Sequence, residues 1–261
     1  MNYWKKLLDL FYLVGSRYFI IAGIFFLIFY ILFSAKFSNR RIQQKKHKNS
    51  DYLREIFYSI LTIIIFSAVP VFFLTNNLTQ PYTTIYKKIS EYGWVYFVFI
   101  FPVMFILHDT YFYWCHRLMH HPKLFNLLHL THHKSTNPSP WAAYSFHPLE
   151  ALIESGIFIF FIFAFPVHPL HLLIFFLLMF IYNVYGHLGY ELYPKNFHKT
   201  LIGKWINTSV AHNMHHQYFK GNYGLYFMFW DRMMGTLSQN YDQQFEKSTN
   251  TQNQQNTINE K

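Results

Sequence analysis

Apolar residues arrive in five runs of roughly bilayer length, and polar residues fill the stretches between them. The runs cover about 18–37, 56–74, 94–113, 151–165 and 170–185. A helix rises about 1.5 Å per residue, so roughly 20 apolar residues cross a hydrocarbon core of about 30 Å. The fourth run is short for that and reads as tilted or incompletely crossing. Pro70 and Pro102 lie inside the second and third runs and predict kinks. The fourth and fifth runs form a hairpin that turns at Pro166-Val167-His168-Pro169. The predicted fold is all-α: a multi-pass transmembrane helical bundle of about four to five spans, with a cytosolic histidine-rich helical cap. Three regions follow: an N-terminal transmembrane region over 1–93, a domain over 94–237 that carries the chemistry, and a polar tail over 238–261. The tail is rich in Gln and Asn with no apolar period, which predicts disorder. No repeat at solenoid spacing is present.

Composition agrees with a lipid-facing protein. The chain has 261 residues, 52% hydrophobic, 22% aromatic and only 13% charged. Soluble domains carry about twice that share of charge. The net charge is +10, but the basic residues flank apolar runs and do not gather on one soluble face, so nucleic-acid binding is a poor explanation. Lys36, Arg40, Arg41, Lys45, Lys46, Lys48 and Arg54 fill the loop between the first two runs. The positive-inside rule makes that loop cytoplasmic. Counting spans from it puts residues 114–150 and 186–261 on the same side. Lys5, Lys6, Arg17, Lys87 and Lys88 run against this bias, and the first run can also be read as interfacial. The N-terminal apolar stretch, Tyr18 to Phe33, is longer than a signal-peptide core and lacks a small-residue cleavage site. The single cysteine, Cys115, excludes a disulfide framework and reads as a packed thiol.

The chemistry lies in three histidine clusters: His116-x3-His120, His129-x2-His132-His133 and His212-x2-His215-His216. Helical residues three and four apart share a face, so each cluster aims its imidazoles at one point. Eight imidazoles exceed what one tetrahedral ion uses and suit two metal ions. The bland alternative is a set of interfacial histidines that only hydrogen-bond, and three clusters with repeated spacing disfavour it. His187, one turn after Asn183 at the end of the fifth run, is a further candidate ligand, with Asn183 a weaker one. His108 reads as a ligand or a substrate-positioning group, and His147 as a neighbour of the ligands. His47, His121, His168, His171 and His198 read as bystanders. Metal-bound imidazoles need a partner on their second nitrogen, and Asp109, Glu150, Glu191 and Asp231 are the acids nearby in sequence, with Glu154 one of few others.

Other chemistries lack their motifs. There is no H-E-x-x-H, no G-x-S-x-G, no phosphate loop, no dinucleotide fingerprint, no haem-attachment site and no fused electron carrier. The main alternative class is a divalent-metal membrane transporter or sensor. It needs ionisable ligands along a path within the spans, whereas these clusters lie beyond them.

His108-Asp109-Thr110-Tyr111-Phe112-Tyr113-Trp114-Cys115-His116-Arg117-Leu118-Met119-His120 resembles the first box of the fatty acid hydroxylase/sterol desaturase superfamily. His129-Leu130-Thr131-His132-His133 resembles its second box and His212-Asn213-Met214-His215-His216 its third. The stretch from Asn137 to Glu150 is similar to the segment after box two in sterol C5-desaturases, and Asn222-Tyr223-Gly224, Trp230-Asp231-Arg232 and Gly235-Thr236 match the family's ending. The resemblance covers about residues 100–236 and lies closest to sterol C5-desaturase-like bacterial members. It implies a multi-pass protein of a bacterial inner membrane, or alternatively of the endoplasmic reticulum, with its clusters cytosolic. It further implies two Fe2+ ions, O2 as co-substrate, and electrons from a separate donor of cytochrome b5 or ferredoxin type. The product would be a hydroxylated or desaturated lipid, sterol-like or fatty acyl. It carries the catalytic metal-holding role onto His116, His120, His129, His132, His133, His212, His215 and His216, with His187 added as a metal ligand. Some relatives place a histidine where this chain has Asn183. Zinc is a possible substitute after purification, since the affinity order favours it over Fe(II).

Overall fold

The computed structural model describes residues 2–250, which are helical with only isolated β-bridges and no strand among them. The first helix, α1 (Tyr3–Phe26), is capped by the Asn2 side chain and runs on as π-helix over Leu27–Leu32. It starts well before the apolar run that predicts it. The Lys5–Asp9 pair at 3.0 Å shows why: its first turns carry charge one helical turn apart, which hydropathy overlooks and a helix tolerates. Next come α2 (Asn49–Thr75), which continues through Pro70, and α3 (Gly93–Met119), which continues through Pro102. Two short helices, α4 (Pro122–Leu128) and α5 (Leu130–His133), precede α6 (Pro148–Ala164) and α7 (Pro169–Gly186). The last three are α8 (Ser209–Tyr218), α9 (Phe229–Met233) and α10 (Tyr241–Thr249).

Four helices are long and apolar enough to cross a membrane: Tyr3–Leu32, Asn49–Thr75, Gly93–Met119 and Pro169–Gly186. The 17-residue α6 is not among them. It rises only about 26 Å, and its buried face, including Ile157, Phe158, Phe161 and Ile162, packs into the bundle core with Met104 and Phe175. Large apolar side chains such as Val95, Val98, Phe99, Leu53 and Phe57 stand on the outside. A soluble protein does not expose such a surface, and lipid tails cover it at no cost.

Both ends of the bundle are tied. At one end the α6–α7 turn pairs with the α2–α3 connection: the Tyr86 amide donates to the Val167 carbonyl, and the Tyr96 hydroxyl donates to Pro166. At the other end the basic loop meets the histidine-bearing segments. Gln43 donates to the Thr136 carbonyl and to Asn213, and His47 contacts the Asn137 carbonyl. At 27 residues α3 is about 40 Å long, so its last turns project past a 30 Å hydrocarbon core. One helix thus both spans and carries chemistry.

The disordered tail expected from residue 238 onward is corrected over residues 241–249. They form α10, and Tyr241 and Phe245 are fully buried against Ile42, Val210 and Met214. Two aromatics one helical turn apart are enough to seat a short helix that is otherwise polar. Residues 251–261 lie outside the described residues.

Candidate metal centre

Five elements deliver histidines to the tied end of the bundle. Helix α3 presents His116 within its last turn and His120 at its C-cap. His129 occupies the break between α4 and α5, with φ −120° and ψ −12°, so the second cluster does not lie on one helix. That break turns the His129 ring onto His116, with ring centroids 4.8 Å apart, while His132 and His133 follow on α5. His187 caps the end of α7. Helix α8, whose N-cap Thr208 accepts from the Ala211 amide, presents His212, His215 and His216.

Nine imidazoles fall into two adjacent groups. His116, His120, His129, His133 and His215 form one; His132, His187, His212 and His216 form the other. Within each group the potential ligand atoms lie within 4.8 Å of one another. The groups abut, with the His133 and His216 rings stacked at 4.8 Å.

The second ring nitrogens show what the first are for. Nδ1 of His116 donates to the Tyr223 carbonyl (2.9 Å), of His132 to Ser145 (3.3 Å), of His187 to Asn183 (2.8 Å), of His215 to Gly221 (2.7 Å) and of His216 to Ser135 (3.0 Å). Nδ1 of His129 meets the Glu150 carboxylate at 2.7 Å. A carbonyl only accepts, so these Nδ1 atoms carry the proton and leave Nε2 a bare lone pair. Yet Nε2 of His187 lies 3.3 Å from that of His132 and 3.2 Å from that of His216. Lone pairs this close repel unless a cation lies between them. Nitrogens about 2.1 Å from a shared ion are about 3.0–3.4 Å apart at octahedral or tetrahedral angles, which matches. In the other group, Nε2 of His116 and of His129 is buried without any partner. The residues present therefore fit metal ions.

The electrostatics agree. Burial pushes the pKa of His120 and His187 down to about 4 and those of His129, His132, His133, His212, His215 and His216 well below the usual imidazole value. All are neutral at pH 7, the form that binds metal. Phe112, Phe125, Phe146 and Phe219 pack against His116, His120, His132 and His133 at centroid distances of 5.0–5.2 Å and keep the groups dry.

The acids near the clusters divide. Only Glu150 touches a histidine. Asp109 accepts the amides of Leu225, Tyr226 and Phe227; Asp231 those of Tyr223 and Gly224; Glu191 those of Tyr193 and Val210. These three shape the loops that supply carbonyls. The expectation that they would partner imidazoles is corrected, because buried amides without a strand or helix partner compete for the same carboxylates. Gly221 has φ +75°, and a Cβ there would lie 2.4 Å from the Thr236 carbonyl, so only glycine brings its carbonyl to His215. Sequence reading missed Ser135, Ser145, Gly221 and Tyr223, because backbone acceptors leave no side-chain signature.

Several candidates stand outside both groups. The Asn183 amide donates to the Ala143 carbonyl at 2.6 Å, so its side chain is engaged away from the imidazoles. His108 is hydrogen-bonded to the Tyr226 hydroxyl at 2.8 Å, and His147 caps α6. His121 and His168 cap α4 and α7, His171 contacts the Phe97 carbonyl, His47 contacts Asn137, and His198 packs on Phe245. Cys115 is half-buried and in neither group.

Beside the imidazoles a cavity of about 260 Å³ opens among α1, α2, α3, α6 and α7. Its wall is mainly apolar, and Phe112 and Phe146, which pack on the histidines, belong to it. Along α7 the lining runs from Pro169 to Asn183, about 21 Å of helix.

The pattern of fatty acid hydroxylase proteins matches residues 101–236. Over 184 residues the chain is 33% identical to the Delta(7)-sterol 5(6)-desaturase ERG3B of Gibberella zeae, covering 66% of this chain and 53% of that protein. It is 30% identical over 239 residues to the Delta(7)-sterol 5(6)-desaturase erg3A of Aspergillus fumigatus, covering 89% and 65%. With the lathosterol oxidase of Homo sapiens it shares 30% over 160 residues, covering 60% and 52%. The chain thus spans between about half and two thirds of these curated relatives. No solved structure matches it.

Proposed function

The chain belongs to the fatty acid hydroxylase family, and on that premise we propose that it is a membrane-bound di-iron oxidoreductase that hydroxylates or desaturates a lipid with O2. The observation that carries this reading is two groups of converging imidazoles, most of them oriented by carbonyls, beside an apolar cavity whose Phe112 and Phe146 pack on them. We assign His116, His120, His129, His133 and His215 to one ion and His132, His187, His212 and His216 to the other. Bound iron would supply the activation of O2 and, with it, the means to break an unactivated C–H bond.

The chain's own residues do the rest. Carbonyls of Tyr223, Ser145, Asn183, Gly221 and Ser135, with the Glu150 carboxylate, fix the tautomer and direction of six of the nine rings before any ion arrives. The phenylalanine wall excludes water, and the cavity holds an apolar substrate against it. Sterol-like substrates are favoured by the names of the relatives, with acyl lipids the second possibility. Two electrons come from a separate donor of cytochrome b5 or ferredoxin type. The basic loop at the histidine end supports a cytosolic site, in a bacterial inner membrane or the endoplasmic reticulum.

The test removes one ligand from each group. Protein purified without zinc, which would compete for these ligands, should hold about two irons per chain. His132→Ala/His215→Ala should lose the iron and all O2-dependent lipid turnover. A double variant as active as the parent would overturn the assignment, and metal flux in proteoliposomes without O2 consumption would favour a transporter.

A further inference from the structure

Glu154 differs from every other buried carboxylate among the described residues. Glu55 meets the Ser139 hydroxyl, Glu150 meets His129, Glu191 the Tyr185 hydroxyl, and Asp109 and Asp231 hold backbone amides. Glu154 is 9% exposed, has no hydrogen-bond or ion partner among the described residues, and lines the apolar cavity. A carboxyl group is costly at such a place unless something completes it. The cavity's other polar groups are mostly engaged. The Arg17 guanidinium donates to the Leu173 carbonyl, the Asn183 amide to Ala143, the Ser155 hydroxyl to Leu152, and His108 is bonded to Tyr226.

We propose that Glu154 takes the hydroxyl group of a neutral lipid substrate and so fixes which end of the lipid faces the imidazoles. This rests on the oxidoreductase reading above. A carboxyl group hydrogen-bonds a hydroxyl whether or not it carries its proton, whereas a carboxylate or phosphate head would bring a full charge into the apolar cavity at a large desolvation cost. The substrate class is therefore a hydroxylated lipid rather than a free fatty acid or a phospholipid. Glu154 lies one helical turn, about 6 Å of rise, beyond Glu150, which touches His129. A hydroxyl held there sits on the order of 10 Å from the ligands. The hydroxyl end of the lipid therefore lies toward the imidazoles, and the tail extends along α7 toward Pro169.

The experiment compares equilibrium binding of lathosterol, its 3-deoxy analogue and stearate to the iron-loaded full chain in nanodiscs. The parent should prefer lathosterol to either of the others by at least about tenfold, the range of one hydrogen bond to an ionisable group. Glu154→Leu should erase that preference by weakening lathosterol alone, with iron content and binding of the 3-deoxy analogue unchanged. Glu154→Gln, which keeps an acceptor in the same volume, should retain part of it. A parent that binds all three alike, or a Glu154→Leu or Glu154→Gln variant as selective as the parent or more so, would overturn the proposal. Iron content and O2 consumption of the parent report separately on the oxidoreductase reading, so the two can fail independently.

Discussion

Six of the nine imidazoles of the centre are held from behind, five of them by backbone carbonyls. The histidines themselves were legible, because three- and four-residue spacing puts them on common helix faces and the polar clusters interrupt apolar runs. His187 was legible too, as a histidine ending a span. Their grouping was not: His132 and His133 are adjacent in sequence yet serve different groups, because neighbours on a helix point about 100° apart. Glu150 is the one side chain that orients a ligand. Glu150→Ala should lower iron affinity by about 10–100-fold while leaving the other eight imidazoles in place. Glu150→Gln, which still accepts from His129 Nδ1, should cost less. Iron retained on titration with a chelator measures both, and an Ala variant that holds iron like the parent would show that the contact is dispensable.

At the scale of elements, hydropathy found the crossing helices but not their ends. It places the start of α1 late, because Lys5, Lys6 and Asp9 dilute the apolar average without breaking the helix. It gives no sign that the chain breaks at His129, where α4 ends and α5 begins. It also leaves the polar segment after 238 without structure, although α10 seats Phe245 in a fully buried site under α8. Because α8 carries three of the histidines, α10 acts as a buttress for the centre. Phe245→Ala should destabilise the fold by about 3–5 kcal/mol, the usual cost of emptying a buried aromatic site. Chemical denaturation in detergent measures it, and an unchanged midpoint would mean that α10 is only loosely attached.

The whole molecule concentrates neutral imidazoles where water cannot reach, and this couples its stability to pH. His120 and His187 titrate near 4 in the folded chain against 6.5 for a free imidazole. Between those values the unfolded chain binds more protons, so stability of the metal-free protein rises with pH and falls as pH drops from about 6.5 toward 4. Thermal melts of chelator-treated protein across that window should show a steadily falling Tm, and a flat profile would contradict the burial. By itself the sequence determined the helical, membrane-crossing class and the three histidine clusters. Those depend on local periodicity, apolar run length and residue type, all of which are written along the chain. Only the tertiary structure decided how nine histidines divide into five and four, which carbonyls orient five of them, and that Glu154 is left facing the cavity without a partner. Each of these depends on groups far apart in sequence meeting in a dry interior, where every lone pair and proton must be matched, and no single stretch of chain records that matching.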